Sequence, residues 1–256
     1  MTSLRGKVAL VTGGGTGIGR ATAIAMAREG ASIVVLGRRE ATGEETVGKI
    51  HELGGEAVFL RADVADAESV RASVNETLAR FGRLDAAVNS AAVEGPVSSI
   101  VELPEGEWRE VIDINLSGSF HGVKYAAAAM LSLGRGGAIV NVASIQSFLG
   151  CAGEVAYTTS KHAVLGLTRV ASAELAPHGI RVNAVCPGVI ETPMVDRFRA
   201  SLGDEFYADF ARSRTHVGRL GRPDEIASLI CWLCSDQASY VTGASLIADG
   251  GTTAML

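Results

Sequence analysis

The order of apolar and polar positions along this chain predicts short strands that alternate with longer helices. Runs such as KVALVT and SIVVLG are apolar without a polar residue at every second position, which is typical of strands buried on both faces. Segments such as GRATAIAMAREG, between most of these runs, have apolar residues at helical spacing, and several end in glycine. The pattern predicts an α/β fold with a doubly wound parallel sheet of about seven strands and helices on both faces.

The distribution of these segments predicts one domain over residues 1–256. No repeat, low-complexity tract or linker interrupts the chain. Segment 193–222 breaks the alternation, because it contains no strand and mixes aromatic residues with many charges. A segment of that length is usually functional, so we expect a helical cover over a substrate. The alternative is a pair of surface helices that pack their aromatic residues inward: Phe198, Phe206, Tyr207 and Phe210.

Composition and charge exclude several classes of protein. Hydrophobic residues make up 47% and charged residues 20%, which suits a chain with a sizeable core. A net charge of −5 argues against a surface for nucleic acid or anionic membrane. No apolar run approaches the roughly 18 residues that cross a bilayer, and the first apolar segment is too short for a signal peptide. We therefore expect a cytoplasmic protein.

The cysteines and histidines do not predict a metal site. Cys231 and Cys234 form a C-x-x-C, which could indicate a redox pair or half of a zinc site. The segment around them has helical apolar periodicity, and no second ligand pair completes a four-coordinate zinc. The histidines show no ligand spacing. We interpret the two thiols as core residues and expect no catalytic metal.

A glycine-rich turn, TGGGTGIG over residues 12–19, separates the first predicted strand from the first helix. Glycine is needed where a turn requires positive φ and where the backbone must approach a pyrophosphate. The helix that follows offers free N–H groups and the positive end of its dipole to phosphates. The turn therefore predicts a dinucleotide site of the Rossmann kind at Gly13, Gly15, Thr16, Gly17, Ile18 and Gly19.

The G-x-x-x-G-x-G spacing resembles the nucleotide-binding turn of the short-chain dehydrogenase/reductase family. RADVAD (61–66), NSAA (89–92), VNAVCPGVIET (182–192) and the ending from GRLGRP onward resemble further family segments in the same order. Ser90 and Ala92 depart from the family's N-N-A-G, and Ala92 would narrow the space near the cofactor. The resemblance implies further cofactor contacts at Asp63, Val64, Asn89, Ala91, Pro187, Gly188, Ile190 and Thr192.

Tyr157 and Lys161 are four residues apart in VAYTTSKHAV, which places both side chains on one helix face. Reduction of a ketone adds hydride to carbon and a proton to oxygen. A free tyrosine has a pKa of about 10, too high for efficient proton transfer near neutrality, and a neighbouring ammonium lowers it. We therefore expect Tyr157 to be the general acid/base and Lys161 to lower its pKa. The resemblance adds that Lys161 also binds the nicotinamide ribose.

Two further catalytic roles come from the resemblance. Ser144, thirteen residues before Tyr157, matches the serine that hydrogen-bonds the substrate oxygen, whereas the competing Ser147 does not match that spacing. Asn115 resembles the asparagine that kinks a helix and supports a proton relay to the lysine. The resemblance also implies a small-molecule carbonyl or alcohol substrate and a homotetramer. The KYAAAAML helix and the helix after Tyr157 are the expected contacts between copies.

The second predicted strand ends in Gly37, Arg38 and Arg39. An NAD site of this fold usually places an acidic side chain at that strand end, where it accepts bonds from the ribose hydroxyls. Gly37 occupies this position, and a guanidinium at Arg38 suits a 2′-phosphate. We therefore predict NADP(H), although Thr16 stands where NADP-dependent relatives often carry a second basic residue, so NAD(H) is the alternative. Arg39 either stacks on adenine or faces solvent.

The substrate and the non-enzymatic alternative stay open at this point. The predicted pocket wall suits a mainly apolar carbonyl compound and comprises Val93, Glu94, Gln146, Phe148, Cys151 and Val189. A protein of this fold could also sense a nucleotide without catalysis, but such a protein should lose its reacting groups. This chain keeps all four candidate catalytic residues: Asn115, Ser144, Tyr157 and Lys161.

Overall fold

Seven parallel strands form one sheet in the order β3-β2-β1-β4-β5-β6-β7. The structure is a computed structural model that describes residues 3–196, 209 and 213–254. Every neighbouring pair of strands is parallel, which confirms the predicted doubly wound sheet. The strands are β1 Val8–Thr12, β2 Ser32–Gly37, β3 Ala57–Arg61, β4 Ala86–Asn89, β5 Gly137–Val142, β6 Ile180–Pro187 and β7 Ser245–Ala248.

Helices cover both faces of the sheet and enclose two main cores. One core joins the sheet to α1, α2 and α7, and the other joins it to α3, α5 and α6. Neighbouring residues of a strand point to opposite cores, as Val34 and Val35 do in β2. Because both faces of such a strand are buried, both kinds of position are apolar. The helices are α1 Gly17–Arg28, α2 Glu40–Glu52, α3 Ala67–Phe81, α4 Glu105–Ile112, α5 Gly118–Leu133, α6 Val155–Leu175 and α7 Pro223–Cys234.

The strand order creates a crevice between β1 and β4. The chain runs outward from β1 to β3 and then returns to β4 on the other side of β1, so the connections after β1 and β4 diverge. Gly13 has a φ of 65°, and a Cβ there would lie 2.9 Å from Cα of Ala91. Only glycine lets the turn after β1 pass this close to the segment after β4.

The C-x-x-C pair lies in the core, as its helical periodicity predicts. Cys231 and Cys234 are on α7, have 3% and 2% exposure, and are free thiols. Burial raises the pKa of Cys234 to about 12, which keeps its thiol protonated and unreactive.

The predicted helical cover, 193–222, lies partly outside the described residues, which omit 197–208 and 210–212. In the described parts at its two ends, residues 193–196 are helical, and Gly221 forms an isolated parallel bridge with Ile190. Among the helices that the structure describes, none is both long enough and apolar enough to cross a membrane.

Candidate active site

A cavity of about 1000 Å³ runs along the carboxyl ends of the strands. Because parallel strands end on one side, residues far apart in sequence meet here. Most of the residues predicted for the cofactor, the chemistry and the substrate line its wall: Gly13, Gly15, Thr16, Gly17, Ile18, Gly19, Arg38, Arg39, Asp63, Val64, Ala91, Val93, Glu94, Ser144, Gln146, Cys151, Tyr157, Lys161, Pro187, Gly188, Val189, Ile190 and Thr192.

The glycine turn has the geometry of a phosphate site. Thr16, the N-cap of α1, makes no side-chain capping bond, so the first N–H groups of the helix remain available. Gly17 has a φ of 52°, and a Cβ at Gly19 would collide with the carbonyl oxygen of Gly13. Arg20 supports the turn from outside, since its Nε donates to the oxygen of Gly15 at 2.9 Å. These features fit the pyrophosphate of a dinucleotide.

The end of β2 is basic but lies beside an acid from β3. Arg38 Nη1 is 3.7 Å from Asp63 Oδ2, and both side chains are about half exposed, with relative areas of 57% and 42%. A Cβ at Gly37 would find only Phe59 Cε2, at 4.0 Å, so there is space for a larger group at the strand end. The guanidinium of Arg38 therefore lies at the predicted ribose position with a weak, exposed partner.

The three reacting groups come together where β5 meets α6. Ser144 follows β5, and its Oγ accepts a hydrogen bond from Gln146 N at 3.1 Å, which leaves the hydroxyl proton free to donate elsewhere. Tyr157 lies in the first turn of α6 and Lys161 in the next. Lys161 Nζ is 5.5 Å from the centre of the Tyr157 ring and donates to Val142 O at 2.8 Å.

Burial dominates the electrostatics of this group. Burial raises the pKa of Tyr157 to about 12, while a hydrogen bond with Ser144 acts in the opposite direction. Burial also lowers the pKa of Lys161 to about 8. Burial of the phenol is the largest cause of the raised pKa of Tyr157, and the tuning of Tyr157 by Lys161 stays a prediction. Tyr157 is consequently a neutral proton donor at neutral pH.

Asn115 occupies a structural position beside the site and is not part of the cavity wall. It lies in a π-helical turn, Asp113–Ser117, between α4 and α5, which agrees with the predicted kink. Its Oδ1 accepts from Val93 N at 2.8 Å, and its Nδ2 donates to Val93 O at 2.8 Å and to Ser160 Oγ at 3.1 Å. The side chain thus connects the segment after β4 to α6, one residue before Lys161.

Two predicted contacts fall outside the cavity wall. Asn89 is 3% exposed, and its Nδ2 donates to Asn141 Oδ1 at 2.8 Å, so its side chain joins β4 to β5 instead of reaching the cofactor. Phe148 directly follows the short helix Ile145–Ser147, is 43% exposed and is not part of the wall.

Sequence reasoning missed several residues of the wall. The one with the clearest chemistry is Glu154, the N-cap of α6, three residues before Tyr157. An acidic residue at the start of the helix that carries the tyrosine was the available signal. The others had no distinguishing pattern and include Phe59, Val97 and Leu149, whereas Met194 belongs to the segment predicted to cover the substrate.

The glycine turn, the cavity and the Ser-Tyr-Lys group define a nicotinamide-dependent oxidoreductase. The family model described as "Enoyl-(Acyl carrier protein) reductase" matches residues 13–253. The 2,5-dichloro-2,5-cyclohexadiene-1,4-diol dehydrogenase of Sphingobium indicum is 43% identical over 255 residues, 100% of both chains. The cyclohexanol dehydrogenase of an Acinetobacter species is 41% identical over 247 residues, 96% of this chain and 95% of that one.

A solved structure from Agrobacterium tumefaciens, named as a candidate 2-deoxy-D-gluconate 3-dehydrogenase with bound NADP, is 38% identical. It superposes with a TM-score of 0.91 over 99% of this chain and 98% of that one. The chain belongs to the short-chain dehydrogenase/reductase family. It is an NAD(P)-dependent oxidoreductase that acts on CH–OH or C=O groups of small molecules.

Proposed function

We propose that the protein transfers a hydride between NADP(H) and a ketone or secondary alcohol. The observation that carries this proposal is the convergence of Ser144, Tyr157 and Lys161 on one wall of the cavity. The nicotinamide, when bound, supplies or accepts the hydride. The protein must therefore orient the carbonyl, move one proton to or from its oxygen, and exclude competing reactions.

The side chains divide these tasks among them. Ser144 donates a hydrogen bond to the substrate oxygen, since its own oxygen already accepts from Gln146 N. Tyr157, kept protonated by burial, gives its proton to the same oxygen during reduction, and in the reverse direction its phenolate takes the proton of the alcohol. Lys161 binds the nicotinamide ribose and stabilises the phenolate once it forms. Asn115 is a positioning residue that fixes Val93 and Ser160 around this group.

The substitution Tyr157→Phe tests the catalytic assignment. It removes only the hydroxyl, so we expect turnover of ketones and alcohols to fall roughly 10²- to 10⁴-fold while cofactor affinity is retained. The absorbance of reduced nicotinamide measures turnover, and fluorescence titration measures binding. Cofactor binding without turnover, unaltered by Tyr157→Phe across a wide substrate panel, would instead favour a nucleotide-sensing protein.

The basic end of β2 supports a preference for NADP(H). Arg38 lines the cavity, whereas Gly37 offers no carboxylate to repel a 2′-phosphate. The bound NADP of the Agrobacterium tumefaciens structure is consistent with this preference. The alternative is an NAD(H)-dependent dehydrogenase, because Asp63 lies near Arg38 and Thr16 adds no second positive charge.

A comparison of kcat/KM for NADPH and NADH distinguishes the two cofactors. We expect a preference for NADPH that is reduced in Arg38→Ala, because the guanidinium pairs with phosphate. Arg39→Ala is the matched control, since it removes the same charge from the neighbouring position. A clear preference for NADH that Arg38→Ala leaves unchanged would refute the assignment.

A further inference from the structure

The substrate end of the cavity has a polar group that hydride transfer itself does not require. Gln146 Nε2 donates to Glu154 Oε2 at 2.8 Å, and Thr158 Oγ1 donates to Gln146 Oε1 at 2.7 Å. These two bonds fix the orientation of the Gln146 amide and hold the Glu154 carboxylate in place. Gln146 therefore donates to only one of the two carboxylate oxygens, Oε2.

The second oxygen of this carboxylate has no protein donor. No residue in the described ranges donates a hydrogen bond to Glu154 Oε1. Glu154 is only partly exposed and lines a cavity whose wall also includes the apolar residues Val97, Leu149 and Met194. A partly buried carboxylate oxygen without a donor is unfavourable and attracts any ligand that can donate to it.

This carboxylate is close to the reacting groups. Glu154 precedes Tyr157 by three residues, which corresponds to about one helical turn of roughly 5 Å. Gln146 connects the two positions, because its backbone N–H contacts Ser144 Oγ while its side chain contacts Glu154. The negative charges of Glu154 and Glu94 also contribute to the raised pKa of Tyr157, so both act across the same space. Glu154 and Tyr157 therefore line the same cavity within a short stretch of α6 and its N-cap.

We propose that Glu154, held by Gln146, binds a second hydroxyl group of the substrate, so that the enzyme prefers neutral diols and hydroxyketones to simple alcohols and rejects carboxylates. This inference rests on the proposed hydride transfer. A hydroxyl suits the site because it donates its single bond to the one available oxygen, whereas an ammonium can direct only one of its three donors there. A substrate carboxylate would be repelled by Glu154 and Glu94.

A set of matched ring compounds tests the proposal. The ring is chosen from a panel of cyclic secondary alcohols as one that the enzyme oxidises, such as cyclohexanol if it is turned over. Its 1,4-diol, its 4-carboxylate and its 4-amino derivative are then compared with the plain alcohol by kcat/KM. We expect the diol to exceed the plain alcohol roughly 10- to 100-fold, the gain of one hydrogen bond to a charged group, and the carboxylate to fall below it.

Variants assign this selectivity to the carboxylate. Glu154→Met removes both oxygens at similar size and should bring the ratio of diol to plain alcohol close to one. Glu154→Gln keeps an acceptor without charge, so the ratio should be intermediate and the relative rate with the carboxylate should rise. Glu174→Met is the matched control, because Glu174 lies on the same helix, is exposed and does not line the cavity.

Several results would overturn the inference without touching the proposed function. The inference is overturned if the wild-type enzyme has the same kcat/KM for the plain alcohol as for the diol. It is also overturned if the ratio of kcat/KM for the diol to that for the plain alcohol is unchanged in Glu154→Met, or if the wild-type enzyme prefers the amino compound to the diol. Failure of the proposed function would look different, since no cyclic alcohol or ketone would be turned over at all.

Discussion

Gly37 illustrates how the lack of a side chain can determine cofactor choice. It ends β2 beside Arg38, and the nearest atom to a Cβ built there is 4.0 Å away. The space is therefore open, and no steric reason requires glycine at this position. Its consequence is electrostatic: the place where a carboxylate would meet the ribose hydroxyls carries no negative charge.

Introducing that charge should reverse the proposed preference for NADPH. In Gly37→Asp the carboxylate would repel a 2′-phosphate and accept bonds from a free ribose, and like charges side by side cost several kcal/mol. We expect the ratio of kcat/KM for NADPH to that for NADH to fall roughly 10²- to 10³-fold. Gly37→Ala controls for the added Cβ and should leave the ratio nearly unchanged. An equal effect of both substitutions would show that shape, and not charge, determines the preference.

Lys161 connects catalysis to stability. It is 3% exposed, and burial lowers its pKa from 10.5 to about 8. Below about pH 8 both the folded and the unfolded chain carry the ammonium, so the full cost of burying it opposes folding. Between about pH 8 and the ordinary lysine value the folded protein loses the proton first, and stability from this group rises with pH.

Lys161→Met should therefore stabilise the protein near neutrality. The lowered pKa corresponds to about 3 kcal/mol, from which the lost hydrogen bond to Val142 O removes about 1 kcal/mol. We expect a gain of about 2 kcal/mol in the free energy of unfolding near pH 7 and a smaller gain near pH 10, measured with urea. Lys124→Met, at an exposed position on α5, should show no such pH dependence. A variant less stable than wild type near pH 7 would contradict the prediction.

At the scale of elements, the π-helical turn Asp113–Ser117 positions the segment after β4. Asn115 is fully buried and satisfies both backbone groups of Val93. Truncation to alanine would leave the N–H and C=O of Val93 without partners in a partly buried segment.

Asn115→Ala should lower the free energy of unfolding by about 2–4 kcal/mol, because two backbone groups lose their bonds. Urea denaturation measures this loss. Asn75→Ala, on the exposed face of α3, is a matched control with no such contacts. If both variants lose equally little, the bonds of Asn115 contribute nothing to the position of Val93.

The sequence predicts the elements better than it predicts the side-chain contacts between them. All seven strands coincide with predicted short apolar runs, and β1 and β2 are buried over most of their length, as unbroken apolar runs indicate. The π-helical turn is not, since DINLS has the same apolar spacing as an ordinary helix. The sequence also does not predict that Phe148 is exposed or that the Asn89 side chain is buried against Asn141. Both depend on how the neighbouring strands pack together, which no local pattern encodes.

At the scale of the whole molecule, we expect four copies to associate. The predicted contact through the alanine-rich stretch of α5 needs revision, because Ala126, Ala127 and Ala129 are buried within the chain. The outward faces of α5 and α6 instead expose larger apolar residues, with Phe120 at 45%, Leu131 at 41% and Val170 at 59%. Such residues are suited to an interface between copies.

Light scattering at micromolar concentration tests this assembly. We expect four times the 26.5 kDa chain mass, and a smaller mass for Val170→Arg, which places a charge on the outward face of α6. Leu53→Arg, an equally exposed apolar position at the end of α2, should leave the mass unchanged. A monomeric wild-type protein would refute the expected tetramer.

The buried contact between Asn89 and Asn141 extends further, since Asn141 Nδ2 donates to Thr168 Oγ1 at 2.9 Å on α6. The three positions form a chain of polar groups through the interior, in which each amide donates to the next residue, while Asn89 Oδ1 has no partner among the described residues. Removal of one member leaves another unsatisfied, whereas joint replacement by apolar residues of similar shape removes the problem. Substitutions at these three sites should therefore be tolerated better when they occur together than singly. The effects of the single substitutions on the free energy of unfolding should be strongly non-additive.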